Sequence, residues 1–135
     1  MDDCLFCKII KREIPSQMVY EDDKVFCFLD INPIHPGHTL VVPKNHSTQL
    51  LEMDNRDIAA VFTAAKKVAA AVVTGVQADG FNLGMNNERA AGQAVWHAHV
   101  HIIPRFSNEG LRHWPGRKYR QGQAEEVKDR IVRLL

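Results

Sequence analysis

The hydrophobic pattern changes period along this chain, and the changes divide it into elements. Over QMVYEDDKVFCFLDINP, apolar positions alternate with their neighbours, and β-branched and aromatic residues flank the acidic run Glu21-Asp22-Asp23. That pattern predicts two short strands joined by a turn. A two-residue period puts Val25, Cys27 and Leu29 on one face of the second strand and Phe26, Phe28 and Asp30 on the other. Phe28 and Asp30 therefore look the same way. Asn32-Pro33 and Pro36-Gly37 break the chain before HTLVVP, a third strand in which His38, Leu40 and Val42 share a face. From Asp54 the period lengthens. Ile58, Val61, Phe62, Ala65, Ala69, Val72, Val73 and Val76 fall on one helical stripe, with Asp54 as the N-cap and Gly75 as the end. The alanines of this long helix suit close packing on a sheet.

FNLGM after Asp79-Gly80 reads as a fourth strand, NNERAAGQ as a glycine-containing loop and VWHAHVHIIP as a fifth strand. Val127, Ile131, Leu134 and Leu135 form a last stripe, which predicts a short terminal helix. Strands on both sides of a single major helix predict an α+β domain: a five-stranded antiparallel sheet with one main helix and short helices. There is no internal repeat or low-complexity linker, so one domain over residues 1–135 is expected. An apolar content of 45% is enough for one core. Charge changes the picture by what it removes: 17 Lys+Arg against 16 Asp+Glu give no broad basic field, so neither nucleic acid nor a membrane surface is an expected partner. No apolar run reads as a membrane span, and MDDCLFCKIIKRE has neither a basic n-region nor an apolar h-region. A soluble cytoplasmic protein is expected. The three cysteines Cys4, Cys7 and Cys27 are odd in number, which argues against a disulfide framework and for a reducing compartment.

Candidate chemistry concentrates in HAHVHII. On a strand, His97, His99 and His101 point to one face with Val95 and Ile103, while Trp96, Ala98, Val100 and Ile102 point to the other, which is core. A solvated strand face is normally Lys, Glu, Thr and Ser, so a row of imidazoles calls for another explanation. Two remain open: alternate histidines jointly gripping zinc, or one imidazole acting as nucleophile beside another acting as acid. Cys4 and Cys7, spaced C-x-x-C, read as a redox pair, half a zinc site or two buried small hydrophobes. A thioredoxin-like motif belongs after a strand in a βαβ context that this sequence lacks, so redox is the weakest reading.

The run His-Ala-His-Val-His-Ile-Ile fits the pattern His-φ-His-φ-His-φ-φ, with φ apolar, and so resembles the histidine triad family of nucleotide hydrolases and transferases. The resemblance also covers DINPIHPGHTLVVPKNH, AAGQAV and HWPG, from about Leu5 to Gly116, leaving residues 117–135 as a C-terminal extension. It points to the Hint-like branch of nucleoside phosphoramidate hydrolases in its small bacterial form, and implies the histidine triad fold. It further implies that His99 attacks the α-phosphorus and becomes nucleotidylated, that His101 protonates the leaving group, and that His38 is a fourth active-site histidine. Phe6, Ile9, Ile14 and Phe28 match the base wall, Asp30 the carboxylate that binds the ribose hydroxyls with Ile31 beside it, and Asn86, Gly92, Gln93 and Ala94 the phosphate contacts. Ala94 departs from relatives that carry serine, so only its backbone contact carries over. Taken singly, the apolar residues also read as core and Asp30 as a turn residue.

The same resemblance implies a structural zinc held by Cys4, Cys7, His46 and His97, with no organic cofactor. It implies a homodimer built across the long helix and the fourth strand, and a purine nucleotide substrate derived from AMP or GMP. Three other readings stay open: a dinucleoside polyphosphate hydrolase, a zinc hydrolase using His97, His99 and His101 as catalytic ligands, and a nucleotide-binding regulatory protein with negligible turnover. In RHWPGRKY, the cations Arg112, Arg117 and Lys118 suit extra phosphates as well as a solvated basic turn.

Overall fold

The computed structural model describes residues 3–135; Met1 and Asp2, where the domain and leader expectations begin, lie outside the described residues. Strands β1 (Met18–Glu21), β2 (Val25–Leu29), β3 (Thr39–Pro43), β4 (Gly80–Gly84) and β5 (Val100–Arg105) form one antiparallel sheet in the order β1-β2-β3-β5-β4. The expected α+β architecture is therefore the observed one. The long helix α2 (Asn55–Gly75) lies on one face, where Val61, Ala65, Val68 and Ala69 pack with Val25, Cys27, Val41, Val100 and Ile102. On the other face, the short helix α1 (Leu5–Ile10) presses Phe6 and Ile9 onto Phe26, Phe28, Leu40 and Val42. The two-residue alternation thus feeds two cores, one on each face of the sheet. Helix α1 covers only the β2–β3 half of its face. The β4–β5 half is left for the site.

Several local expectations change. Strand β5 begins at Val100, so Val95 to His99 lie outside the ladder. Their main chain bonds elsewhere: the Ala98 N–H donates to the Ser47 carbonyl at 2.7 Å. Alternation nevertheless persists through the irregular stretch, since Ala98, Val100 and Ile102 join the α2 core and His97 and His99 are buried on the opposite side. Trp96 leaves that core and sits under the Arg89 guanidinium, 5.8 Å from its ring centre. On α2, Ala64 and Val68 fill the buried stripe while Phe62 is exposed. Asp54 caps α2 as expected, accepting the Arg56 N–H at 2.8 Å. Gly75 is the last helical residue, but the left-handed position beyond it is Gln77, at φ 57°.

Helix α2 also overturns the reading that no run approaches a membrane span: by length and composition its 21 residues are long and apolar enough to cross one. Here that apolarity is used against the sheet. The terminal helix α3 (Gln123–Val132) forms as predicted, yet none of its residues is buried; of its stripe, Val127 is half-buried and Ile131, Leu134 and Leu135 are exposed. One glycine bears directly on the site. Gly37 has φ 99°, and a Cβ there would sit 2.9 Å from a Val76 methyl, so only glycine lets the β2–β3 connection pass α2 and deliver His38.

Candidate active site

The tautomers of the site follow from its hydrogen bonds. The His99 Nδ1–H donates to the carbonyl of His97 at 2.7 Å, which leaves Nε2 without a proton and with its lone pair free. The Ile34 N–H donates to His38 Nδ1 at 3.1 Å, so the proton of neutral His38 sits on Nε2. His38 Nε2 lies 2.9 Å from His101 Nδ1 and donates to it. That bond places the His101 proton on Nε2. Two neighbouring imidazoles, 4.9 Å between ring centres, therefore present one bare nitrogen and one N–H, the forms expected of a nucleophile and of a donor to a leaving group.

Burial sets their charge. Desolvation lowers the pKa of His99 and of His38, while burial and then the neighbouring His99 and His38 rings bring His101 down to about 4. All three are neutral at neutral pH. A folded-state pKa below the free value means that acid, not base, abolishes the working form. The acid limb of kcat/KM should therefore be centred below about pH 6.5, the unperturbed histidine value, with a plateau above it. A limb centred above that value in a pH–rate profile would contradict this reading of His99.

The expected nucleoside contacts split. Phe6, Ile9 and Phe28 are buried in the α1 core, with Ile14 packed against them; Phe6 meets the His99 ring edge-on at 5.1 Å. Their core reading holds, and they back the site. Asp30 serves two purposes: Oδ1 accepts the Asn32 N–H at 2.8 Å, making the turn, while Oδ2 is 3.7 Å from His38 Nε2. Ile31 beside it is exposed. In the loop expected to contact phosphate, the Gly92 and Gln93 N–H groups are already used, donating to the carbonyls of Arg89 and Glu88. The Gln93 side chain is a buried structural hub that donates to the Thr48 and Val95 carbonyls and accepts from the Glu88 N–H. Of the three expected main-chain donors, the Ala94 N–H alone has no partner among the described residues. The Asn86 amide approaches the Gly92 carbonyl at 3.5 Å and borders a cavity.

That cavity, about 650 Å³, opens on the far side of His101 over the bare half of the sheet, between Asn82, Ile103 and Arg105 and the tail segment Leu111–Trp114. Arg112 is part of its lining; Arg117 and Lys118 are exposed outside it. Glu109 fixes the segment after β5 at its margin by pairing with His35 and Arg105 and accepting the Phe106 N–H. Those contacts, with the Phe106 bond foremost, hold its carboxyl down to about 2. Sequence reasoning missed this clamp and the Ile34 donor. The clamp has no spacing to announce it, and a main-chain N–H has no residue identity.

His97 belongs to a different centre. Its Nε2–H donates to the Pro43 carbonyl at 2.8 Å, and its bare Nδ1 faces Cys4 Sγ at 3.4 Å, Cys7 Sγ at 3.5 Å and His46 Nδ1 at 3.2 Å. These four ligand atoms lie within 4.8 Å of one another. Two thiols and two imidazoles, one oriented by a carbonyl behind it, fit a closed four-ligand zinc site. Cys27 plays no part: burial pushes its thiol up to about 12. The geometry also removes the catalytic-zinc arrangement, since the His97 ring faces the cysteines and His99 Nδ1 is occupied. Asp30, His38 and His101 form a second cluster of possible ligand atoms. The Ile34 N–H opposes a metal there, because it keeps the His38 proton on Nε2, the nitrogen that would have to bind.

Comparison with known proteins places these features. The HIT domain model matches residues 11–108. The adenylylsulfatase HINT3 of Arabidopsis thaliana is 44% identical over 110 residues, covering 82% of this chain and 56% of that one. The crystal structure of SMU.412c from Streptococcus mutans superposes with a TM-score of 0.91 at 43% identity, over 98% of this chain and 85% of that one. A Zn-bound histidine triad family protein from Mycobacterium smegmatis follows the same fold, with a TM-score of 0.79 at 31% identity, over 98% of this chain and 96% of that one.

Proposed function

Because the chain belongs to the HIT domain family, we propose that it hydrolyses nucleotides at the α-phosphate, with purine nucleoside phosphoramidates of the adenosine 5′-monophosphoramidate type as substrates and a nucleotidyl-His99 intermediate. The observation that carries this is the Nδ1–H bond of His99 to the His97 carbonyl, which bares Nε2 beside the protonated Nε2 of His101. His99 Nε2 attacks phosphorus; the bond to the leaving amine breaks with its electron pair on the amine, and a proton from solvent is relayed to that nitrogen through His101 Nε2, which leaves the ring neutral. Water then attacks phosphorus and gives up a proton to solvent by the same relay, the phosphorus–Nε2 bond breaks, and AMP leaves. His38 holds His101 in the required tautomer. Asp30 Oδ2, free of main-chain bonds, takes the ribose hydroxyls, and the Ala94 N–H and Asn86 take the phosphate oxygens.

Zinc held by Cys4, Cys7, His46 and His97 is structural in this reading, since four protein ligands leave no open position. Phe62 on α2 and Phe81 and Leu83 on the edge strand β4 are exposed, which supports a homodimer across that face. Sedimentation measures that directly. All three cysteines are free, as suits the cytoplasm.

The cavity beyond His101, with Arg112 and Trp114 in its wall, favours a second reading, a dinucleoside polyphosphate hydrolase with room for another nucleotide. A direct comparison on one preparation separates them. Adenosine phosphoramidate should exceed diadenosine polyphosphates by at least about tenfold in kcat/KM, roughly 1.4 kcal/mol of differential transition-state binding. Adenylyl sulfate joins the comparison because an adenylylsulfatase is among the relatives. Equal or reversed efficiencies would favour the dinucleotide, and no turnover of any of them would favour a binding protein. His101→Ala should cost about 10²–10⁴-fold with an unactivated amine and little with a nitrophenolate, which departs without a proton. A uniform loss across leaving groups would remove the acid role from His101.

A further inference from the structure

The turn that delivers His38 has a single outside tether. Among the described residues, 31–36 make one hydrogen bond to a residue beyond 30–38: the His35 Nε2–H donates to Glu109 Oε2. Two further bonds tie His38 to the turn on either side of the His35 ring. The Ile34 N–H donates to His38 Nδ1 at 3.1 Å, and the His38 N–H donates to the His35 carbonyl at 3.0 Å. Where the His35 ring is held therefore bears on both. Glu109 is rooted in the sheet: Oε1 accepts the Phe106 N–H at 2.8 Å, Oε2 accepts from the Arg105 guanidinium at 3.0 Å, and Arg105 Nε donates to Asn82 Oδ1 on β4 at 2.8 Å. The Phe106 ring also meets His35 edge-on at 5.4 Å.

The bond between His38 and His101 can run in either direction. In one arrangement His38 Nε2–H donates to His101 Nδ1, and the His101 proton sits on Nε2; in the other His101 Nδ1–H donates, His38 is protonated on Nδ1, and His101 Nε2 is bare. Only the first can pass a proton from His101 to a leaving group. The Ile34 N–H opposes the second, because two N–H groups would then face each other at His38 Nδ1. Asp30 Oδ2 favours the first as well, but at 3.7 Å from His38 Nε2 it makes no hydrogen bond.

We propose that Glu109 is a positioning residue for the His38–His101 pair: by holding His35 it keeps the Ile34 N–H on His38 Nδ1, and so keeps the His101 proton on Nε2. The same carboxylate fixes the start of the segment that walls the cavity beyond His101, so the leaving-group side and its proton donor share one anchor. The proposal rests on the reading of His101 as the proton relay.

The test reads the ring nitrogens of His38 and His101 by NMR in the full chain labelled with ¹⁵N-histidine, which needs no turnover. The parent chain should show both rings protonated at Nε2 alone. In Glu109→Ala, and in His35→Ala, which removes the same bond from its other end, a second form with both rings protonated at Nδ1 should appear while His99 keeps its Nδ1–H. Changing both residues should do no more than changing either, because they share one contact. Asp79→Ala loosens the same segment by freeing the Ser107 N–H, held at 2.8 Å, without touching His35, and should leave both rings as they were. Turnover supplies a second readout. With an amine leaving group, kcat of Glu109→Ala should fall by the fraction of His101 that has lost its Nε2 proton, about twofold where the two forms are equally populated, while a nitrophenolate leaves at the parent rate. A merely structural role would slow both alike. Unchanged His38 and His101 tautomers in Glu109→Ala and His35→Ala would overturn the proposal, as would an equal shift in Asp79→Ala. A tautomer shift in a chain that hydrolyses no nucleotide would keep Glu109 as a positioning residue and end the proposed function.

Discussion

His99→Ala should lose turnover of adenosine phosphoramidate by at least about 10⁴-fold while binding AMP within a few-fold of the parent chain. The asymmetry comes from where the contacts lie. Removing the imidazole deletes the bare ring nitrogen of the proposed covalent route, whereas Asp30, Asn86 and the Ala94 N–H are untouched. His99 is largely buried, so the truncation also leaves a small cavity beside Phe6, and AMP affinity has to be measured on protein shown to be folded. Rapid-quench mass spectrometry of the parent chain should find one nucleotidyl group per active site early in the reaction, and none in His99→Ala. Wild-type rates in that variant would end the covalent mechanism. An adduct that survives the substitution would move the nucleophile to another residue.

The second large effect is expected at the cysteines. The purified chain should carry about one zinc, and Cys4→Ser with Cys7→Ser should lose it along with more than about 10 °C of melting temperature, equivalent to roughly 3 kcal/mol in a domain of this size. Ser47, His46 and Pro43 are held to His97 and Ala98 by two hydrogen bonds and the shared cluster, and Cys4 and Cys7 tether α1 to the same point. Without the metal, α1 keeps only its apolar contacts, chiefly Phe6 and Ile9. Elemental analysis and calorimetry decide this together. Metal-free protein with an unchanged melting temperature would mean that Cys4 and Cys7 are merely packed. Conversely, His38→Ala should leave zinc content unchanged, because His38 bonds to His101 and lies outside the cluster.

The hydrophobic pattern alone determines most of the scaffold and the identity of the chemical groups. A two-residue period is a local property of an extended chain, so the division of Phe26 and Phe28 from Val25 and Cys27 survives intact in the two cores. The same period places His97, His99 and His101 opposite Ala98, Val100 and Ile102, even where the ladder itself fails. What the pattern misjudges are positions where a partner distant in sequence outbids local preference. Trp96 goes to Arg89 rather than the core, Gln93 turns inward to Thr48 and Val95, and Phe62 faces out because Ala64 and Val68 fit closer to the sheet.

Only the tertiary structure separates the three histidines by role. In sequence they are equivalent imidazoles on every second residue; in space one faces two thiols, one donates to a carbonyl and one accepts from His38. The deciding partners are the Pro43 carbonyl, the His97 carbonyl and the Ile34 N–H, main-chain groups that every residue but proline supplies in full. A sequence shows that imidazoles are present. Which nitrogen carries each proton depends on backbone atoms that the fold brings within about 3 Å, one of them, the Pro43 carbonyl, 54 residues away along the chain.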